Sequence, residues 1–103
     1  MKKIFLLSLC IVAFSCGKKK VAIEQVADIS CGQCQFGLNS EDGCSLAVKV
    51  FDKAYFVDGF NIDDFGDAHD AHTGFCNVIR KGSIKGEIKN SRFMANTIKL
   101  IEE

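Results

Sequence analysis

The 103-residue sequence contains no proline, so its regular elements must end at Gly, Asn and Asp residues. It also lacks an apolar run of roughly 20 residues, the length that a helix needs to span a bilayer. No GxSxG motif, glycine-rich phosphate loop or HExxH motif occurs in it. We therefore expect a binding module that is not an enzyme and has no catalytic residues.

A basic stripe is also missing. All thirteen Asp and Glu residues lie from Val21 onward, together with only eight of the thirteen Lys and Arg residues, which makes this part of the chain acidic. Nucleic-acid binding draws most of its affinity from contacts between basic side chains and phosphates. We therefore expect no nucleic-acid partner. The length from Val21 suits one small domain, residues 21–103, which we expect to be monomeric.

The N-terminus has the organisation of an export signal over residues 1–15, with two lysines, the apolar segment Ile4–Phe14 and the small Ser15. Ala13-Phe14-Ser15-Cys16 resembles the lipobox of bacterial lipoproteins, which implies cleavage before Cys16 and acylation of that residue. Residues 16–20 would then be a lipid anchor and basic tether that attach the protein to a membrane of the bacterial cell envelope. The absence of an acidic residue after Cys16 favours the outer membrane. The alternative is a secreted protein with a free Cys16.

From Val21 onward, apolar residues alternate with polar ones over several short segments, a pattern typical of half-buried strands. The pattern predicts a mainly β fold with five strands and one short helix between strands 3 and 4. This is the element order of the five-stranded OB-fold barrel, although another small antiparallel barrel or sandwich is an alternative. The predicted segments are strands at 21–29, 44–50, 54–60, 84–88 and 92–101, and a helix at 75–81.

Four of the six cysteines, Cys31, Cys34, Cys44 and Cys76, lie within this domain. In an oxidising compartment they can form two disulfides, with three possible connectivities. Alternatively, their thiolates can bind a soft or borderline metal such as Zn(II) or Cu(I).

Two histidines extend the metal hypothesis. His69, His72 and Cys76 share the i, i+3, i+7 spacing that would place them on one helix face. Asp67 and Asp70 flank the imidazoles and would orient them by hydrogen bonding. Exposed polar loop residues are the alternative explanation for both histidines.

A thiol–disulfide exchange site is a third interpretation of Cys31-Gly-Gln-Cys34. Redox cysteines of this spacing usually begin a helix, whose dipole lowers the thiol pKa. Here Gly37 and Gly43 flank a short polar loop, so the sequence predicts no such helix, and the cis-proline of thioredoxin-like folds is absent. The redox function is therefore the least favoured of the three.

Five short motifs resemble an uncharacterised bacterial lipoprotein family, domain-of-unknown-function family 6370. They are CGQCQFG at 31–37, GCSLAV at 43–48, AYFVDG at 54–59, GDAH at 66–69 and GFC at 74–76. The resemblance implies that the four domain cysteines and His69 belong to the family pattern, and it implies no activity. The sequence as a whole predicts a lipid-anchored, cell-envelope binding module of unknown ligand, with a metal-binding cysteine framework. A disulfide-stapled structural or interaction protein is the alternative.

Overall fold

The computed structural model of the chain describes residues 20–101. The predicted signal peptide and the predicted lipidation site at Cys16 lie outside these residues. In the described part, five strands are joined by loops and two short helical elements. The strands are β1 (Val21–Cys31), β2 (Leu46–Val50), β3 (Lys53–Asp58), β4 (Arg80–Lys89) and β5 (Arg92–Leu100), and the helices are α1 (Gly32–Gln35) and the 3-10 helix η1 (Ile62–Phe65).

The five strands close into a barrel in the order β1-β2-β3-β5-β4, with β4 paired back onto β1. All neighbours are antiparallel except β3 and β5, which pair in parallel through Val57 and Asp58. The prediction of a mainly β, five-stranded barrel is confirmed, and the strand order is compatible with an OB-fold. No helix among residues 20–101 has the length and apolarity that crossing a membrane would require.

Buried residues at every second position of the strands build the interior of this barrel. Along β4, Gly82, Ile84 and Gly86 are buried while the residues between them face solvent. On β1, Ile23, Ala27 and Ile29 turn inward in the same way. The side chains of Ile23, Ala27, Ile29 and Ile84 meet in a single core. It also contains Leu46, Val48, Val50, Val57, Phe75 and Phe93.

Two-residue turns set the register of both hairpins. Phe51 and Asp52 connect β2 to β3 with φ of 54° and 68°, and Asn90 and Ser91 connect β4 to β5 with φ of 56° and 64°. Positive φ at both central residues is the type I′ geometry, whose twist matches that of the flanking strands. In the absence of proline, two-residue turns of this kind reverse the chain.

The position predicted for the helix, 75–81, is wrong. Residues 75–77 form turns, and β4 already begins at Arg80, which pairs with Ile29 of β1. The buried Ser30 hydroxyl binds the carbonyl oxygens of Phe75 at 2.7 Å and Val78 at 2.6 Å. The Phe75 carbonyl also accepts from the Cys31 amide, so both of its lone pairs are engaged by β1 and none is left for a helical i+4 amide. The helical element between β3 and β4 is η1, which lies earlier in the chain.

Candidate metal centre

Two cysteines lie where β1 leaves the barrel. Cys31 is the last residue of β1 and is buried, and it also caps the single turn of α1, which carries Cys34. The Cys34 amide donates a hydrogen bond to Cys31 Sγ at 3.4 Å. The expectation that no helix follows Cys31 is corrected, because one helical turn forms there. That turn brings both sulfurs to the same side of the loop.

Cys44 reaches the same place because its neighbour Ser45 is bound to α1. The Gly32 amide donates to the Ser45 carbonyl at 2.8 Å, and the Ser45 amide donates to Gln33 Oε1 at 2.8 Å. Gln33 Nε2 also donates to the Glu41 carbonyl at 3.1 Å. The Gln33 side chain therefore holds both ends of the segment that contains Cys44.

Cys76 comes from the long loop before β4, and four hydrogen bonds fix that loop. The Cys76 amide donates to the Ala68 carbonyl at 2.9 Å, which closes the loop on itself. Gln35 Nε2 donates to the Cys76 carbonyl at 2.9 Å, which ties the loop to α1. The Ser30 hydroxyl and the Cys31 amide both bind the Phe75 carbonyl. Sequence reasoning missed Ser30, Gln33 and Gln35, although the two glutamines stand next to Cys34 within the CGQCQ run.

The four cysteine sulfurs form one cluster. All lie within 4.8 Å of one another, and the Sγ atoms of Cys44 and Cys76 are 2.9 Å apart. A tetrahedral zinc site with Zn–S bonds of ~2.3 Å separates its sulfurs by about 3.8 Å. Adjustments of about 1 Å would therefore let all four surround one ion. The donor set fits Zn(II) and Cu(I), because thiolates select these metals over harder cations.

The thiols shift one another's acidity. Burial opposes ionisation of Cys31, but hydrogen bonds from the Cys44 thiol and the Cys34 amide outweigh it and lower the pKa of Cys31. The pKa of Cys34 is raised, chiefly because its thiol donates to Cys31. The pKa of Cys44 is raised by burial and by its bonds to Cys31 and Cys76. Among Cys31, Cys34 and Cys44, the Cys31 thiol therefore ionises first, and a bound cation would have to displace the protons of Cys34 and Cys44.

The histidines lie outside the cluster. His69 and His72 are exposed on the loop before β4, and the His69 side chain is 85% accessible. Among residues 20–101, the only group of three or more Cys, His, Asp or Glu ligand atoms that can meet at one ion is formed by the four cysteines. Metal binding by His69 or His72 stays a prediction.

The two aspartates beside the histidines shape the loop. Asp67 accepts a hydrogen bond from the His69 amide at 2.9 Å. Asp70 accepts from the amides of His72 and Thr73 at 2.8 and 2.9 Å. These two bonds lower the pKa of Asp70. Both carboxylates thus engage the backbone of their own turns, and Asp67 Oδ1 also lies 3.9 Å from His69 Nδ1. That the aspartates orient the imidazoles at a metal stays a prediction.

A polar cleft of about 550 Å³ borders the cluster on the Cys44 side. Arg92 lies in its wall, where its guanidinium donates to Asp58 at 2.9 Å and to Glu41. These bonds raise the pKa of Arg92. Asp63 and Asp64 complete an acidic lining, so the local potential on this side favours cations.

Comparison with known proteins yields one match. No curated protein and no solved structure matches the chain. The family model of DUF6370, described as a family of unknown function, matches residues 25–101, a range that contains all four cluster cysteines. The chain therefore belongs to the DUF6370 family.

Proposed function

We propose that this protein is a metal-binding module that holds one Zn(II) or Cu(I) ion through Cys31, Cys34, Cys44 and Cys76. The observation that carries the proposal is the convergence of four sulfurs to within 4.8 Å of one another. Three separate segments deliver them: the β1–α1 junction, the residue pair before β2, and the loop before β4. A binding role of this kind needs no catalytic residue.

Convergence of all four sulfurs favours a metal over two disulfides. A disulfide requires only that two cysteines meet, so two staples can lie anywhere on the barrel. A single ion requires every sulfur to approach every other, and the cluster meets that condition. The hydrogen bond from the Cys34 amide to Cys31 Sγ adds support, since a donor directed at sulfur stabilises the thiolate that a metal needs.

The proposed location is the bacterial cell envelope, with lipid attached to Cys16 and the domain held at a membrane, preferentially the outer one. The support is the lipobox-like Ala13–Cys16 sequence and the basic residues that follow it. Several acyl chains together give durable anchoring, because each buried methylene contributes ~0.8 kcal/mol. Palmitate incorporation at Cys16, absent in Cys16→Ser, would support this location. Export without lipid would refute it.

The second candidate is a disulfide-stapled interaction protein. It is favoured by the 2.9 Å approach of Cys44 and Cys76, which leaves Cys31 and Cys34 as the other pair. Each disulfide would stabilise the domain by ~2–4 kcal/mol, largely by restricting the unfolded chain. This candidate predicts a protein that contains neither metal nor free thiol in the domain.

One experiment separates the two. The full chain is purified anaerobically with Cys10→Ser and Cys16→Ser, which remove the two cysteines that precede the domain. Its Zn and Cu are counted by elemental analysis. The thiols are then titrated in denaturant, after a chelator has removed any metal. One metal per chain and four reactive thiols support the proposed site. No metal and no thiol refute it in favour of two disulfides. His69→Ala with His72→Ala is the matched control, and its metal content should equal that of the parent.

A further inference from the structure

The four cluster cysteines differ in their access to solvent. Cys31 is buried, Cys44 and Cys76 are half-buried, and Cys34 is exposed. A structural zinc site is closed, whereas a site that exchanges ligands presents one position to incoming groups. The exposed sulfur gives this cluster one open side.

The other three cysteines are held by the barrel. Cys31 is part of β1, and its amide donates to the Phe75 carbonyl at 3.2 Å. Cys44 is fixed through Ser45, and Cys76 is fixed at both its amide and its carbonyl. Cys34 lies on the outer side of a single helical turn. The cluster therefore combines three anchored ligands with one that can leave without disturbing the core.

We propose that the cluster passes its metal to an external thiol and that Cys34 is the ligand replaced first. This inference rests on the proposed metal-binding function. In the exchange, the incoming sulfur forms a bond to the metal while the bond between the metal and Cys34 Sγ breaks. The proton of the incoming thiol moves to the Cys34 thiolate, so charge and oxidation state stay constant. The recipient class is a thiol, either a small molecule or a cysteine of another protein.

The position of the cluster suits such a recipient. β1 runs from Val21 to Cys31, a span of about 33 Å at ~3.3 Å per residue. The cluster thus lies at the opposite end of β1 from the point where the chain enters the domain. If Cys16 is anchored in a bilayer, the cluster lies at the end of β1 that is far from the tether, where a partner in the aqueous phase can reach Cys34.

The test measures metal transfer from the full chain carrying Cys10→Ser and Cys16→Ser. The protein is loaded with Zn(II), mixed with a chromophoric chelator, and titrated with glutathione. The transfer rate should rise in proportion to glutathione concentration, because the thiol takes part in the exchange. Cys34→Ser should keep zinc binding, and its fold-loss of affinity should be smaller than that of Cys31→Ser, because Cys34 is the ligand that the barrel does not anchor.

A transfer rate independent of glutathione would overturn the inference, and so would equal affinity losses in Cys34→Ser and Cys31→Ser. Either result would leave a closed structural site with the proposed metal function intact. Failure of the parent protein to bind zinc or Cu(I) would instead refute the proposed function itself. Circular dichroism of each metal-free variant establishes that lost binding does not arise from unfolding. Gln33→Ala supplies a second test, since loosening the Cys44 segment should weaken binding without removing the dependence on glutathione.

Discussion

The buried hydroxyl of Ser30 offers the sharpest test of how the barrel builds its cysteine cluster. Ser30 is fully buried on β1, and its single hydroxyl hydrogen is shared between the carbonyl oxygens of Phe75 and Val78, at 2.7 and 2.6 Å. These bonds hold the loop that carries Cys76 against the strand that carries Cys31. Ser30→Ala removes this attachment and leaves the strand otherwise unchanged.

The expected loss of stability follows from the two carbonyls. The Phe75 carbonyl keeps the bond from the Cys31 amide at 3.2 Å, whereas the Val78 carbonyl loses its Ser30 donor. Losing the two Ser30 bonds and leaving the half-buried Val78 carbonyl without its donor costs about 1–3 kcal/mol. We therefore expect Ser30→Ala to lower the free energy of unfolding by about 2 kcal/mol. For a domain of this size the midpoint of thermal unfolding should fall by about 8–16 °C.

The assay is urea unfolding of the reduced, metal-free protein, followed by far-ultraviolet circular dichroism. Ser83→Ala is the matched control, because Ser83 lies on β4 with its side chain exposed. The control should change the free energy of unfolding by no more than about 0.5 kcal/mol. Zinc affinity measured in parallel should fall in Ser30→Ala only. Equal stability of the two variants would refute the assigned role of the hydroxyl.

Three further predictions concern the surroundings of the cluster. Gly32→Ala should destabilise the domain by about 1–3 kcal/mol in urea unfolding, since the new Cβ would lie 2.7 Å from Phe56 Cε1; an unchanged midpoint would contradict this packing. Gln35→Ala should weaken zinc binding by about 10–100-fold in a chelator competition, because it frees the loop of the fourth cysteine, while Gln25→Ala on β1 should leave the affinity unchanged. Hydrogen bonds from backbone amides lower the pKa of Asp70 below its ordinary value of 3.8. These bonds stabilise the fold fully at pH values above 3.8, and the stabilisation is lost as the pH falls through the lowered pKa. Asp70→Asn should therefore make the free energy of unfolding depend less on pH in the acid range. A pH dependence identical to that of the parent would count against the assignment.

The barrel could be predicted because apolar and polar residues alternate along its strands. In β1 and β4 the inward residues recur at every second position, and a shift of one residue would bury Glu24 in place of Ile23 and Lys85 in place of Ile84. Such patterns are local, so each strand can be predicted without knowing which strand it pairs with. The turn at Asn90–Ser91 follows the same logic, since small polar residues tolerate the positive φ that the hairpin needs.

The helix predicted over 75–81 shows where local patterns fail. Phe75, Val78 and Ile79 have helical spacing, but Ile79 is 45% exposed and Phe75 enters the barrel core. The competing interaction comes from Ser30, which lies 45 residues away from Phe75 in the chain. A hydrogen bond between such distant residues leaves no trace in the local pattern. Because no helix forms there, the helical spacing of His69, His72 and Cys76 does not place them on one face.

Strand periodicity and residue type are local properties, so they are sufficient to predict a small five-stranded β domain with four cysteines outside the strand interiors. They also mark these cysteines as candidate ligands of a soft metal. The three-dimensional fold brings Cys31, Cys34, Cys44 and Cys76 within 4.8 Å of one another and leaves the histidines apart. That outcome depends on which loops the closed barrel brings to one end and on the Ser30, Gln33 and Gln35 side chains that bind them there. The sequence specifies how many residues separate two cysteines, whereas the fold of the barrel and its loops determines the distance between their sulfur atoms.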